Sequence, residues 1–286
     1  MKAAIIVNLS KEAAIRCARE IISLLHEQQA QVCMPIDAKV YFSGDGVRFF
    51  YNMHQLFAHC DAAITVGGDG TIIHAAKYAA EADTPLIGVN VGRLGFAAEV
   101  DPDEIQSLAR LNSGDYETES RLLLEVVVQK PSGESRYLAV NDAVVAHGQL
   151  SKIVDLSLAV DGETVAQYRS DGLLFSTPTG STAYSLSAGG PILSPQMKCI
   201  LMTPVCPHSL FSRSVVFESS AELSVSVKIP QGCSCLLTVD GEVNIDIAEE
   251  DRVIIRQSPL HLTLISLKKR NFYTKLNEKL REREIV

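Results

Sequence analysis

Apolar and polar residues follow one pattern in the first part of the chain and a different one in the rest. Up to about Arg121, short apolar runs alternate with stretches in which apolar residues recur at helical spacing. The apolar runs predict buried strands at residues 2–7, 62–66 and 86–89, and the periodic stretches predict helices at residues 11–28, 72–80 and 103–111. Strands that alternate with helices are typical of a parallel α/β layer, so the first part is expected to be an α/β domain.

From Leu122 onward the hydrophobic period changes to two. Residues 154–160, 223–229 and 260–264 alternate in this way, which places one side of each strand on a core. The turn pairs Asp161-Gly162, Gln231-Gly232 and Asp240-Gly241 separate such runs. This part is expected to be an all-β, antiparallel, sandwich-like domain. The predicted domain limits are therefore 1–120 and 121–267, followed by a helical tail at 268–286 with Phe272, Leu276 and Leu280 on one face.

Composition narrows the possible partners and the compartment. The formal net charge of −8 argues against binding nucleic acid or an anionic membrane, since both need a basic surface. No apolar run is long enough to span a bilayer, and the N-terminus turns polar at Asn8, too early for a signal peptide. A cytoplasmic location is therefore expected. Seven cysteines without a CxxC pair predict buried free thiols rather than disulfides or a zinc site, and His54, His59 and Cys60 lack a second ligand pair.

A glycine-rich segment, Gly67-Gly68-Asp69-Gly70-Thr71, follows the predicted strand at residues 62–66. A strand that leads through glycines into a helix lets a phosphate approach the backbone, and the helix start offers unpaired N–H groups. We expect Thr71 to be the N-cap of that helix. Asp69 would repel a phosphate unless it holds a metal or orients an attacking hydroxyl; the alternative is an ordinary turn. Neither a Walker loop nor a GxGxxG fingerprint is present.

Two further segments carry polar side chains next to apolar strands. Residues 171–191 open from a strand into a hydroxyl-rich run and end in Gly189-Gly190-Pro191; such hydroxyls can bind phosphate, ribose or a base edge, the alternative being a plain Ser/Thr loop. The hydroxyl-bearing residues are Ser176, Thr177, Thr179, Ser181, Thr182 and Tyr184. Asn141-Asp142 lies between apolar runs, where an amide and a carboxylate need polar partners; ribose hydroxyls fit, and a strand end is the alternative.

Taken in this order and spacing, these segments and Asn90-Val91-Gly92-Arg93-Leu94-Gly95-Phe96 resemble the NAD kinases over nearly the whole chain. The run from Thr177 to Tyr184 is the most selective part, because the GGDG segment also occurs in lipid kinases and phosphofructokinase-like enzymes. The resemblance implies a Rossmann-like α/β domain, a β-rich NAD-binding domain and an active site in the cleft between them. It implies transfer of the γ-phosphoryl of ATP, or of polyphosphate, to the 2′-hydroxyl of the adenosine ribose of NAD. It further implies a divalent cation, Mg²⁺ being the expected one, on the phosphates and a homodimer or homotetramer.

The resemblance also implies roles for individual residues. Asp69 would accept the hydroxyl proton, and the phosphate loop would be Gly67, Gly68, Gly70 and Thr71 with Thr179, Gly189 and Gly190. NAD contacts are expected from Asp69, Gly70, His74, Phe96, Asn141, Asp142, Lys152, Arg169, Asp171, Thr182, Ala183, Tyr184, Ser185, Leu186 and Ser187. No protein metal ligand is expected.

Two positions depart from the family pattern, and two other functions stay open. Glu242 stands where glutamine is common after Asp-Gly, and a carboxylate cannot donate as an amide does. His74 stands where a basic residue is usual, so a phosphate contact there would depend on pH, unless His74 is simply a solvent-facing helix residue. A lipid kinase with the same loop predicts an apolar acceptor cleft. A non-catalytic NAD-sensing protein predicts NAD binding without formation of NADP.

Overall fold

The computed structural model describes residues 1–92, 98–148, 153–209, 212–231, 233–268 and 271–283. The chain forms two compact units. The first unit contains residues 1–120 and 262–286, and the second contains residues 121–261. No described helix is long and apolar enough to cross a membrane.

The first unit is built on a parallel sheet. Its strands are β1 (Lys2–Val7), β2 (Gln31–Pro35), β3 (Arg48–Phe50), β4 (Ala62–Gly67) and β5 (Leu86–Asn90), in the order β5-β4-β1-β2-β3. Every pairing within this order is parallel. Strands β4 and β5 are buried along their whole length, as expected for a sheet covered by helices.

Helices cover this sheet and close its core. They are α1 (Glu12–Glu27), α2 (Lys39–Phe42), α3 (Met53–His59), α4 (Asp69–Glu81) and α5 (Arg110–Ser113), with 3-10 helices at Ile36–Ala38 and Pro102–Ala109. Helix α1 buries the apolar stripe that its spacing predicts, including Ala14, Ile21 and Leu25. The helix expected at residues 103–111 is instead a 3-10 helix followed by α5, which ends where Gly114 takes a φ of +72°.

The second unit is an antiparallel sandwich, as the two-residue period predicts. Its strands are β6 (Glu117–Lys130), β7 (Gly133–Ala139), β8 (Asp142–His147), β9 (Val154–Val160), β10 (Glu163–Ser170), β11 (Gly172–Ser176), β12 (Cys199–Val205), β13 (Val215–Glu218), β14 (Leu223–Lys228), β15 (Cys235–Val239), β16 (Val243–Ile247) and β17 (Arg252–Ser266). One sheet contains β10-β9-β14-β17 with the β6-β7 hairpin, and the other has the order β13-β12-β11-β8-β15-β16. Strand β6 begins, and β17 ends, within residues of the first unit.

A single apolar cluster fills the second unit between its two sheets. Leu156 of β9 and Val225 of β14 belong to the same cluster as Phe175 of β11 and Leu237 of β15. Tight turns join the strands as predicted: Asp161-Gly162 and Asp240-Gly241 both have positive φ at each residue. The short helix α6 (Tyr184–Ser187) lies after β11, and the predicted C-terminal helix is α7 (Phe272–Arg283).

The cysteine prediction needs correction at two positions. All seven thiols are free, and Cys17, Cys33, Cys60, Cys199 and Cys235 are buried as expected. Cys233 is only partly buried. Cys206 is exposed, because it follows β12 in a loop with a φ of +45° rather than lying in a strand.

Candidate functional site

The glycine-rich segment of the first unit joins β4 directly to α4. Strand β4 ends at Gly67, Gly68 is the N-cap, and α4 begins at Asp69. Asp69 therefore lies in the first turn of a helix, where the unpaired N–H groups favour a negative charge. The helix starts three residues earlier than the predicted Ile72, and Thr71 is not the N-cap but the third residue of the helix, its N–H bonded to the Gly68 carbonyl at 3.0 Å.

Lack of space explains Gly67, and backbone conformation explains none of the three glycines of this segment. Gly67, Gly68 and Gly70 all lack a positive φ. A Cβ on Gly67 would lie 2.3 Å from Oγ1 of Thr71, so the Thr71 side chain packs directly over this glycine. Gly68 and Gly70 have open space in front of them, which leaves their backbone accessible to a ligand.

A cavity of about 740 Å³ opens on this segment within the first unit. Gly68, Gly70 and Thr71 form one side, and the ends of β1 and β2 form others. Its other lining residues include Asn8, Lys11, Asp37, Phe50, Tyr51, Met53 and His74. A volume of this size suits a nucleotide. His74 is exposed on α4 and also lines the cavity. It is therefore a solvent-facing helix residue whose position is also compatible with a phosphate contact.

In the second unit, the hydroxyl-rich segment is a buried turn rather than a surface loop. Strand β11 leads into a 3-10 helix at Thr179–Thr182 and then into α6. Ser181 and Thr182 are buried, and their hydroxyls bond to backbone carbonyls within the segment. Oγ1 of Thr179 is buried and has no hydrogen-bond partner among the described residues.

Asn141 and Asp142 lie at the start of β8, so the strand-end alternative is correct for their position. Residue Asp142 pairs with Ser176 in the register of β8 and β11, which brings it beside the hydroxyl-rich segment. Asp142 is 7% exposed, and burial followed by the charge of Asp240 raises the pKa of Asp142 to about 7. Burial raises the pKa of the Tyr184 hydroxyl. The nearby charges of Cys206, Asp142 and Asp171 raise this pKa further.

Asp171 stands between β10 and β11 and is contacted from two sides. Nε2 of His147 lies 3.7 Å from Oδ1 of Asp171. The hydrogen bond from the Cys206 thiol to the Asp171 carboxylate raises the pKa of Cys206. The second unit therefore gathers Asn141, Asp142 and Tyr184 with this carboxylate in one polar region.

The remaining predicted residues occupy several settings. Phe96 and Lys152 lie outside the described residues, as do Arg93, Leu94, Gly95 and Gly232. Arg169 is exposed on β10, while Ser185 is fully buried with its hydroxyl 3.0 Å from that of Thr203. Ala183, Leu186 and Ser187 flank or belong to α6, Gly189 has a φ of +86°, and Gly190 packs against Ser185.

Sequence reasoning gave no site role to Asn8, Lys11 or Asp240, and it named Thr177 only as one of the hydroxyl-bearing residues. Asn8 and Lys11 follow β1 and line the cavity, and the strand that turns polar at Asn8 was the available signal. Asp240 and Thr177 hold the backbone of Asn141 and Asp142 through hydrogen bonds. In the part of the chain that is described, no group of three or more His, Cys, Asp or Glu side chains could hold a metal ion.

Comparisons with known proteins place both units in a family context. Residues 3–116 match the family model of the ATP-NAD kinase N-terminal domain, and residues 140–267 match that of the ATP-NAD kinase C-terminal domain. The chain is 37% identical to an NAD kinase of Desulforamulus reducens over 97% of this chain and 96% of that protein. It is 41% identical to an NAD kinase of Carboxydothermus hydrogenoformans over 78% of this chain and 80% of that protein.

Solved structures give the same picture. A yeast NADH kinase complexed with NADH aligns with a TM-score of 0.88 at 25% identity, covering 98% of this chain and 87% of that one. An NAD kinase from Archaeoglobus fulgidus in complex with ATP aligns with a TM-score of 0.77 at 23% identity. The alignment covers 98% of this chain and 99% of that one, so the two proteins share the fold.

Proposed function

Because this chain belongs to the ATP-NAD kinase family, we propose that it transfers the γ-phosphoryl group of ATP to the 2′-hydroxyl of the adenosine ribose of NAD, giving NADP. The observation that carries the assignment to named residues is the position of Asp69, whose carboxylate lies between two accessible glycines at the start of α4. The polar region of the second unit supplies the amide, carboxylate and hydroxyl groups that suit a dinucleotide.

Asp69 is proposed to accept the proton of the attacking hydroxyl. Phosphoryl transfer has a loose transition state in most analyses, so the hydroxyl loses little proton density before the new O–P bond forms. Positioning of the hydroxyl therefore contributes more than the basicity of Asp69.

The cavity of the first unit is proposed to take the phosphoryl donor. Gly68 and Gly70 leave room for phosphate oxygens against the backbone, and Lys11 supplies a cation to the lining of the cavity. Phe50 and the exposed ring of Tyr51 suit stacking with a base, which favours ATP over polyphosphate. A divalent cation, Mg²⁺ in this proposal, would be held by the donor phosphates and would neutralise their charge.

The second unit is proposed to hold NAD. Asn141, Asp142 and Asp171 would bond ribose and amide groups of the dinucleotide, and the half-exposed ring of Tyr184 would contact a base. The unpartnered hydroxyl of Thr179 would bond a ligand oxygen. The other predicted contacts, at Gly70, His74, Phe96, Lys152, Arg169, Thr182, Ala183, Ser185, Leu186 and Ser187, stay predictions.

An oligomer and a cytoplasmic location also stay predictions. The edge strand β13 exposes Val215 and Val216, which supports a homodimer or homotetramer because exposed apolar edge strands tend to be covered. Light scattering of the purified protein would measure the subunit number.

The test of the proposed function uses Asp69→Asn with Asp83→Asn as the matched control, since Asp83 lies just past the other end of α4. Wild-type protein with magnesium, ATP and NAD should form NADP, detected with an NADP-dependent dehydrogenase. Asp69→Asn should lower turnover by ~10²-fold or more while calorimetry shows NAD binding largely intact. Asp83→Asn should match the wild type.

Two results would decide against this proposal. Full turnover in Asp69→Asn would remove Asp69 from the mechanism. NAD binding without any NADP in the wild type would favour the NAD-sensing alternative. The lipid-kinase alternative predicts phosphorylation of diacylglycerol, and the family match of both units to NAD kinases argues against it.

A further inference from the structure

The backbone of residues 140–142, which carries Asn141 and Asp142, is held by two residues distant in the sequence. Asp240 bonds all three N–H groups and one carbonyl, and Thr177 bonds the other two carbonyls. Every backbone polar group of this tripeptide thus has a partner supplied by Asp240 or Thr177. A backbone fixed at each donor and acceptor holds its side chains in one place.

Asp240 supplies the larger share of these bonds. Its Oδ2 accepts the N–H of Val140 at 2.7 Å, and its Oδ1 accepts those of Asn141 at 2.7 Å and Asp142 at 3.0 Å. Its own N–H donates to the Asp142 carbonyl at 2.9 Å. Bonds from N–H groups to a carboxylate are stronger than neutral ones, so one side chain fixes three consecutive residues.

Thr177, the residue after β11, completes the arrangement. Its hydroxyl donates to the Val140 carbonyl at 2.7 Å, and its N–H donates to the Asn141 carbonyl at 2.9 Å. Gly180 closes the remaining space, since a Cβ there would lie 2.1 Å from the Asn141 oxygen. The tripeptide can therefore move neither toward the hydroxyl-rich segment nor away from it without breaking bonds.

A second Asp-Gly turn in the same unit shows that closing a hairpin does not require this arrangement. Asp161 has a φ of +50° and Asp240 one of +49°, and a glycine with positive φ follows each. The Asp161 carboxylate is exposed and accepts one N–H, that of Glu222, at 3.0 Å. Asp240 instead places its charge near the buried carboxyl of Asp142, a like-charge arrangement that does not favour folding by itself.

We propose that Asp240, assisted by Thr177, is a positioning residue for NAD, which fixes the backbone from which Asn141 and Asp142 contact the dinucleotide. This inference rests on the proposed function. It assigns no chemical step to Asp240, which acts only through the tripeptide.

The experiment compares Asp240→Ala with Asp161→Ala, because both substitutions place alanine at the same backbone conformation after loss of a carboxylate. The KM for NAD and the KM for ATP are measured separately, together with kcat. Asp240→Ala should raise the KM for NAD by ~10-fold or more and leave the KM for ATP unchanged. Asp161→Ala should leave both constants at the wild-type value.

Milder variants guard against a misfolded alanine variant. Asp240→Asn keeps one acceptor oxygen, so its KM for NAD should lie between those of the wild type and Asp240→Ala. Thr177→Val removes the hydroxyl but keeps the N–H, and it should also raise only the KM for NAD. Partial unfolding would instead lower the active fraction and thus kcat, with both KM values unchanged.

The outcomes separate this inference from the proposed function. If the wild type forms no NADP, the proposed function fails. If the wild type is active but Asp240→Asn, Asp240→Ala and Thr177→Val all keep the wild-type KM for NAD, only the positioning role is overturned. Equal rises in the KM for NAD and the KM for ATP would overturn it as well.

Discussion

Replacing Asp142 by asparagine should change the pH dependence of stability in a defined direction. Burial, and then the charge of Asp240, raise the pKa of Asp142 from 3.8 to about 7. The ionised side chain is therefore unfavourable in the folded protein. Between these two pKa values the folded state binds more protons at this site than the unfolded state, so this site lowers the free energy of unfolding as the pH rises.

The size of the effect follows from the two values. A difference between 3.8 and about 7 corresponds to about 4 kcal/mol at about 1.4 kcal/mol for each pKa unit. This cost is fully present above about pH 7 and absent below about pH 4. Asparagine does not titrate, so any cost of burying its amide, about 1–3 kcal/mol, is the same at every pH.

Urea unfolding followed by circular dichroism at about pH 8 and about pH 4 tests this reasoning. The free energy of unfolding of Asp142→Asn minus that of the wild type should be about 4 kcal/mol larger at the higher pH than at the lower one. The control is Asp246→Asn, an exposed carboxyl on β16 of the same sheet, which should change stability by less than about 0.5 kcal/mol at either pH. A change for Asp142→Asn that is the same at both pH values would refute the raised pKa.

Two further substitutions test the packing and the cavity. Gly180→Ala brings a Cβ to 2.1 Å from the Asn141 oxygen, so it should lower the free energy of unfolding by about 1–3 kcal/mol, measured by urea titration. Gly44→Ala, at a glycine with open space, is its control, and an equal change in both variants would contradict the steric explanation. Lys11→Met removes a cation that lines the cavity and should raise the KM for ATP by ~10-fold with the KM for NAD unchanged. Lys39→Met on the exposed side of α2 should change neither constant; an unchanged KM for ATP in Lys11→Met would argue against the cavity as the donor site.

Local sequence was sufficient to predict the elements that carry the candidate site. A short apolar run followed by glycines predicts the strand, the turn and the helix around Asp69, because strand, turn and helix formation each depend on neighbouring residues. The alternation after Leu122 predicts the sandwich in the same way. Hydrophobic periodicity does not indicate a substrate. NAD was predicted as the substrate from the resemblance of the run from Thr177 to Tyr184 to the NAD kinases.

Predictions that depend on side-chain packing were less accurate. Thr71 has a favourable residue type for an N-cap, but its side chain packs over Gly67 and the helix begins two residues before it. Strand β4 ends at Gly67, whose carbonyl accepts the N–H of Val91 at 2.7 Å, and the helix begins two residues later. A capping preference cannot reveal this contact.

The two Asp-Gly turns show why the role of Asp240 lies beyond local sequence. Both dipeptides predict a tight hairpin turn, and both form one. What distinguishes them is register: β15 pairs with β8 so that Val239 lies opposite Ala143, which brings the next residue, Asp240, to the start of β8. The hydrogen bonds that result join residues 98 to 100 positions apart, whereas the local sequence of the turn is the same. A carboxylate at a turn therefore becomes a positioning group only through the strand beside it, and the difference between Asp240→Ala and Asp161→Ala measures that contribution of register.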